Sequence, residues 1–154
     1  MSTFTLPVTP VVEIINFLKQ NLKLPTGAPY GLHVTDWMPT SSLLDTFLSN
    51  DVVPFVVTVR SLNGETGRQV KERTFKDLEH FEICVYTLEA PEYQFDNFTP
   101  VKIRLRDFLV NEIKSLLKQE PFFVTVDYYK NLDKLIAKVL LIQTAITVSI
   151  LHES

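Results

Sequence analysis

Cysteine is almost absent from the sequence. Cys84 is the only one among 154 residues, so no disulfide can form within the chain, and nothing indicates an oxidising compartment. Glycine is also scarce, with four residues against nine prolines, which favours shaped connections over flexible linkers. Residues 1–7 lack the basic and apolar regions of a signal peptide.

A long hydrophobic run is missing as well. The longest apolar stretch, residues 139–151, is interrupted by Gln143, Thr144, Thr147 and Ser149. It is also too short for a transmembrane helix, which needs about 20 residues. We therefore expect a soluble protein without membrane contact, kept in a reducing cytoplasm or in a particle assembled there.

Positive charge is not in excess either. The formal net charge is −3, whereas proteins that bind nucleic acid by affinity normally present a basic face. Passing contact with DNA remains compatible with this balance. A hydrophobic fraction of 45% and a charged fraction of 21% are typical of a globular protein. The length predicts a single domain over residues 1–154.

Two long helices are predicted. In the first, over residues 10–22, Thr9 is the expected N-cap and Pro10 takes the first helical position. The second opens at Pro100, and we expect its basic residues, Arg106 among them, to point mostly outward. Residues 41–48 predict one or two further helical turns. The apolar stripes of the long helices are Val11, Ile14, Ile15, Leu18 and Leu22, then Val101, Leu105, Phe108, Leu109, Ile113 and Leu116.

Alternating apolar residues predict the strands. They fall at residues 31–37, 54–60, 79–87, 122–128 and 142–151. The predicted fold class is α/β of the α+β type. We expect a mostly antiparallel, twisted sheet with the two long helices packed on one face.

The polar segment 61–78 joins two of these strands and predicts an extended β-hairpin arm. It is either a solvated loop or an arm that docks on a neighbouring subunit through charges of both signs. The second alternative makes candidate contacts of Arg60, Glu65, Arg68, Lys71, Glu72, Arg73 and Lys76.

Aromatic residues offer further candidate contacts. Tyr93 and Phe95 lie in an acidic, proline-bounded stretch, residues 89–98. They either pack under the second helix or form a partner surface. Trp37 is either a core residue or an interface anchor, and its place at the end of an apolar strand favours the core.

Groups that would carry chemistry are dispersed along the chain. His33, His80 and His152 lie far apart, without a second ligand at metal-binding spacing. His80 beside Glu79 is typical of a solvated histidine at a strand end. Cys84 has no neighbouring base to activate it. The sequence therefore predicts no catalytic residue, no metal site and no cofactor, and a protein that is not an enzyme.

One family resemblance is carried by the central region. PFVVTVR (residues 54–60), a glycine-containing polar hairpin, FEICVYT (residues 81–87) and a helix opening at Pro100 follow one another. This order resembles the tail terminator, or tail completion, proteins of tailed bacteriophages. The predicted first helix and last strand also lie where that family has them.

The resemblance implies a structural virion protein of the phage neck. It would form a homo-oligomeric ring, usually a hexamer, at the head-proximal end of the tail tube. There it would end tube polymerisation and join the tail to the head connector. Its implied partners are copies of itself, the tail tube protein and a head connector or neck protein, with DNA only as passing cargo in the lumen.

Two alternatives remain open. The segment 39–53 is longer and more hydrophobic than the family pattern, which leaves room for another neck or connector protein. A small cytoplasmic module that binds a ligand or protein is the other, with an expected pocket lined by Tyr86, Tyr93 and Phe95.

Overall fold

The computed structural model describes residues 10–22, 33–49, 55–70, 74–88, 101–119, 125–136 and 139–153. Within these ranges the helices are α1 (Pro10–Asn21), α2 (Thr40–Ser49) and α3 (Val101–Leu117). The strands are β1 (Val34–Asp36), β2 (Phe55–Val70), β3 (Thr74–Leu88), β4 (Thr125–Asn131), β5 (Lys134–Ile136) and β6 (Val139–Glu153). The prediction of a mixed α/β chain is confirmed.

The described strands form one six-stranded sheet. Its order is β1-β2-β3-β6-β4, and β5 pairs with the start of β6 on the same side as β4. β1 and β2 run parallel, and the other pairs are antiparallel. The parallel pair was not predicted. The parallel pair arises because α2 lies between β1 and β2, and the connection through α2 brings the chain back to the end of the sheet at which β1 began.

One face of the sheet carries the larger core. Alternate residues of β2, β3 and β6 point to this face, and they form one cluster with buried side chains of α1 and α3. The cluster includes Ile14, Leu18, Phe55, Val57, Val59, Phe81, Ile83, Val85, Leu109, Ile113, Ile146 and Val148. The periodicity of both helices in the sequence is therefore explained by burial against this face.

The opposite face carries a smaller cluster. Leu43 of α2 packs there with the intervening strand residues Val56, Cys84, Tyr86 and Ala145. The prediction of a short helix over residues 41–48 is confirmed, although the helix is longer than expected. The central strands are therefore buried on both faces near these residues.

Three register shifts interrupt the described ladders, and one of them lies in β2 between Glu65 and Arg68. Leu62 is the extra residue of β2, between Ser61 and Asn63. Asp127 is the extra residue of β4, between Val126 and Tyr128. A bulge redirects the side chain at its position and raises the local twist, and Asp127 takes part in a polar contact described below.

Several local expectations were wrong. The two strands of the predicted hairpin are longer than expected, because β2 runs to Val70 and β3 begins at Thr74. Arg106 does not point outward and is 5% exposed. Trp37 is not in the core and is 51% exposed, because β1 ends just before it at the edge of the sheet. None of the described helices is long and apolar enough to cross a membrane.

Candidate functional site

The hairpin of β2 and β3 is the longest feature of the sheet. Its strands have 16 and 15 residues, against a usual strand length of about 5–6. β3 pairs with β6 only as far as Lys76, and β1 covers β2 only from Val57 to Val59. The arm, which is the part of the hairpin beyond the Arg60–Glu82 pair, is therefore accompanied by β6 as far as the Arg68–Lys76 pair. Within the described residues it is two-stranded only at the pairs Gln69–Phe75 and Val70–Thr74.

Most predicted contact residues that can be placed lie on this arm. Glu65 is in register with Leu78, and Arg68 is in register with Lys76. Arg60 stands at its base. Lys71, Glu72, Arg73, Tyr93 and Phe95 lie outside the described residues, as does the whole acidic stretch 89–98.

Arg60 makes an ion pair within the chain. Its guanidinium lies 2.9 Å from Oε1 of Glu82, the residue opposite it on β3. The Arg60 side chain is 42% exposed, so this pair contributes little to stability. Its effect is to hold the guanidinium at a defined place on the sheet face, at the base of the arm.

Cys84 lies beside this pair on the same face. Its thiol donates a hydrogen bond to Oε1 of Glu82 at 3.4 Å. Burial, more than any other influence, raises the pKa of Cys84 from 9.0 to about 12, so the thiol is protonated at neutral pH and is a poor nucleophile. Burial likewise raises the pKa of Tyr86. Tyr86 is 6% exposed, so it does not line the open pocket expected for a binding module.

A serine, a histidine and an aspartate meet where three strands lie side by side. Ser149 Oγ of β6 lies 2.8 Å from His80 Nδ1 of β3 and donates a hydrogen bond to Asp127 Oδ2 of β4. The histidine is therefore not merely solvated, as the sequence suggested. The bulge in β4 supplies Asp127 to this cluster, which we call the three-strand contact.

The order of atoms in the three-strand contact is not that of a nucleophilic triad. In a triad the histidine stands between the acid and the hydroxyl and takes the hydroxyl proton. Here the serine stands in the middle and its proton points to Asp127. The same Oγ lies within hydrogen-bonding distance of His80 Nδ1. This arrangement joins β4 to β6 and β3.

Arg106 fastens α3 to the sheet in a similar way. Its guanidinium donates to Oδ1 of Asp133 at 2.8 Å, and the same oxygen accepts the backbone N–H of Gln143 at 2.9 Å. Arg106 also contacts the more exposed Asp107. The sequence pattern missed this role because a long basic residue on a helix is usually solvated.

An open cleft of about 320 Å³ lies between α3 and the β4–β6 ladder. Its lining is mainly polar and includes Asp107, Asn111, Lys114, Asn131 and Thr144. The ammonium group of Lys114 lies 4.1 Å from the centre of the Tyr129 ring, a cation–π contact. Among the described residues no cluster of three or more potential ligands could hold a metal ion.

Exposed large apolar side chains lie mainly at the two opposite edges of the sheet. Trp37 and Leu62 are 51% and 42% exposed at the β1–β2 edge, and Tyr128, Tyr129 and Leu135 are 61%, 54% and 74% exposed at the β4–β5 edge. The sequence held a signal for the second group. Consecutive tyrosines in a strand must point to opposite faces, so at most one of them could face the core.

No protein-family model matches the chain, and a search of curated proteins found no significant match. The polar contacts join strands or fasten a helix to the sheet, and the apolar side chains left exposed lie mostly at the sheet edges. The hairpin arm and these two edges are thus the candidate contact surfaces among the described residues.

Proposed function

We propose that the chain is a structural virion protein that forms a ring at the head-proximal end of a phage tail tube. In this role it ends tube polymerisation and joins the tail to the head connector. The observation that carries the proposal is the β2–β3 hairpin, whose two long strands extend the central sheet into an arm. The proposal is also supported by the resemblance of the sequence to tail terminator proteins, from which the segment 39–53 departs.

The arm is suited to contact with a neighbouring subunit. It is continuous with strands that are fully buried at Val57, Ile83 and Val85, so its base is held rigidly. It carries charges of both signs, which can set register between subunits. We assign the subunit or partner contacts to Arg60, Glu65, Arg68, Lys71, Glu72, Arg73 and Lys76 of the arm and, outside it, to Tyr93 and Phe95.

The remaining parts of the proposal follow from the same role. The work of the protein is done by shape and contact, so it is not an enzyme. The helices α1 and α3 back one face of the mostly antiparallel sheet. The chain is placed in the neck of the virion after assembly in the host cytoplasm. The acidic balance suits a lumen through which DNA passes without binding.

The test is the control of tube length. The purified chain is added to polymerising tail tube protein of the same phage, and tube lengths and ends are examined by electron microscopy. The proposal predicts shorter tubes with the chain at one end. Tubes of unchanged length without bound chain would contradict it.

A matched pair of variants locates the contact. Arg68→Glu reverses a positive charge on the arm. Lys19→Glu makes the same charge change at an exposed position of α1. We expect the first to abolish capping and the second to leave it intact. Equal capping by both variants would show that the arm does not take part in the contact.

A second candidate function is favoured by the cleft between α3 and β4. Its polar lining would suit a small polar molecule in a binding module. This function would be established by saturable binding that raises the melting temperature. The binding should be lost in Asn131→Ala and kept in Asn16→Ala, a change at an exposed position of α1. A chain that binds no member of a polar metabolite library would leave the cleft without a role.

A further inference from the structure

The sheet ends in two edges of different composition. In the described part of the chain, β1 has a strand neighbour only in β2, and β4 has one only in β6. The outer side of an edge strand presents backbone N–H and C=O groups that can pair with another strand. Trp37 continues the β1 edge, since its N–H bonds to the carbonyl of Val59 at 3.2 Å.

The exposed aromatic side chains mark both edges as contact surfaces. Trp37 is 51% exposed on one edge and Tyr128 is 61% exposed on the other. Tryptophan and tyrosine are enriched at the energetic centres of protein interfaces. Tyr129, which is 54% exposed, adds a third aromatic ring at the second edge.

The charges at the two edges are complementary. Lys130 and Lys134 are exposed at the β4–β5 edge, while the nearby carboxylates of Asp127 and Asp133 are bonded to Ser149 and Arg106. The opposite edge presents the exposed carboxylate of Asp36. Edge lysines discourage indiscriminate strand pairing, so a fitting partner has to bring a carboxylate.

The strand directions also suit a continued sheet. β1 runs with β2, and the antiparallel steps to β3, β6 and β4 reverse the direction three times. β4 therefore runs opposite to β1. When one copy follows another in the same orientation, β4 of the first meets β1 of the second antiparallel, which is the more stable pairing.

We propose that β4 of one copy adds to β1 of the next, so that the sheet continues from subunit to subunit. The inference rests on the proposed ring and names the surfaces that close it. The occupant of each edge is a second copy of this chain. The contact is heterologous, because each copy offers one edge of each kind.

The register of the sheet indicates which residues meet. One row of paired residues crosses the whole sheet, and it runs Asp36, Val59, Ile83, Ile146, Tyr129. If the same row continues into the next copy, Asp36 of one copy lies opposite Tyr129 of its neighbour. The ammonium group of Lys114 lies over the ring of that Tyr129. The next pair is Trp37 with Tyr128, an aromatic cross-strand pair.

Symmetric pairing of like edges is disfavoured by charge. Two β4 edges would bring Lys130 and Lys134 of both copies together, and two β1 edges would bring Asp36 against Asp36. Like charges at a contact raise its free energy. In the unlike pair Lys130 lies opposite Thr35, and the lysine on the face of Asp36 is Lys114. Charge therefore favours the unlike pair through Lys114 and disfavours a two-fold dimer through Lys130, Lys134 or Asp36.

Cysteine cross-linking tests the junction directly. Trp37→Cys and Tyr128→Cys are prepared as separate proteins and treated with a short bismaleimide, alone and mixed. The native Cys84 is 2% exposed, so the wild type supplies a low background. A mixture of Tyr128→Cys with Val12→Cys, an exposed position on α1, is the control.

The proposal predicts cross-linked dimers in the Trp37→Cys and Tyr128→Cys mixture, at least ten-fold above either protein alone and above the control mixture. Dimers of Tyr128→Cys alone would show symmetric pairing of β4 edges and overturn the proposal. An absence of cross-links in every sample, with the variants folded by circular dichroism, would overturn it too.

A charge variant gives a second readout that needs no cysteine. Asp36→Lys should shift the native mass from oligomer to monomer. Glu13→Lys makes the same charge change at an exposed position of α1 and should leave the oligomer intact. Equal masses for the two variants would remove Asp36 from the junction.

These outcomes are separable from the fate of the proposed function. Rings that cap tubes but show no edge cross-links would refute the junction and keep the function. Edge cross-links in a protein that never caps a tube would keep the junction and refute the function.

Discussion

Asp133 and Asp107 both contact Arg106, but they differ in what else depends on them. Asp133 Oδ1 also accepts the N–H of Gln143, and its side chain is 35% exposed, against 62% for Asp107. Arg106 itself is almost fully buried. Asp133 is therefore the residue that joins α3, the turn before β5, and β6.

The two aspartates make a matched test of this role. We expect Asp133→Ala to lower the free energy of unfolding by about 2 kcal/mol, since two hydrogen bonds to a charged group are lost. Asp107→Ala should cost only about 0.5 kcal/mol, as for an exposed ion pair. Urea denaturation of both variants measures the difference, and equal losses would refute it.

Cys84 predicts a loss of stability at high pH. Its pKa is about 12 in the folded chain, against 9.0 for the ordinary thiol. Above pH 9 the unfolded chain loses a proton that the folded chain keeps. The free energy of unfolding should therefore fall as pH rises from 9 towards 12, by up to about 1.4 kcal/mol per pH unit.

Comparison with Cys84→Ala isolates this residue from the other groups that titrate in the same range. We expect urea denaturation at pH 8, 9, 10 and 11 to give a steeper decline for the wild type than for the variant. Parallel declines would mean that burial does not raise the pKa of the Cys84 thiol. Burial raises the pKa of Tyr86 in both proteins, and Cys84 adds to that rise only in the wild type, so the difference between the two declines includes this smaller effect.

At the scale of elements, Leu43 is the buried side chain of α2 among those that the structure describes. Leu43 is 1% exposed in the smaller core cluster, whereas Leu135 of β5 is 74% exposed. We expect Leu43→Ala to cost about 3 kcal/mol of unfolding free energy, because it leaves a cavity. Leu135→Ala should stay within about 0.5 kcal/mol of the wild type. Thermal unfolding of both variants measures the difference. Equal decreases in the two melting temperatures would contradict the prediction.

Elements were predictable where one face is buried. The apolar stripe of α1 and the alternation in β6 follow from packing on the larger core cluster, so the sequence carried their period. The outer part of β2 escaped prediction because its sequence is polar and its strand structure comes from pairing with β3. Local pattern cannot show a partner that lies in another part of the chain.

The candidate site was predictable only in part. The charged arm showed as a polar segment between two apolar strands. The three-strand contact and the Arg106–Asp133 bond join residues 22 or more positions apart, and a single sequence gives no sign of such pairs. Trp37 was assigned to the core because nothing local shows that β1 is an edge strand.

At the scale of the whole molecule, the sheet has different ends. The β1 end presents Trp37 and Asp36, the β4 end presents Tyr128 and the exposed lysines, and the arm extends from β2 and β3. A molecule with two unlike, complementary ends associates head to tail, and such contacts either close into a ring or continue as a filament. The proposed role at the end of a tail tube requires closure.

Native mass spectrometry of the purified chain across a range of concentrations tests this central claim most directly. We predict one closed oligomer of fixed copy number, without a series of growing masses, because a ring has no free edge. A protein that stays monomeric at every concentration, or that stops at a two-fold dimer, would contradict the account.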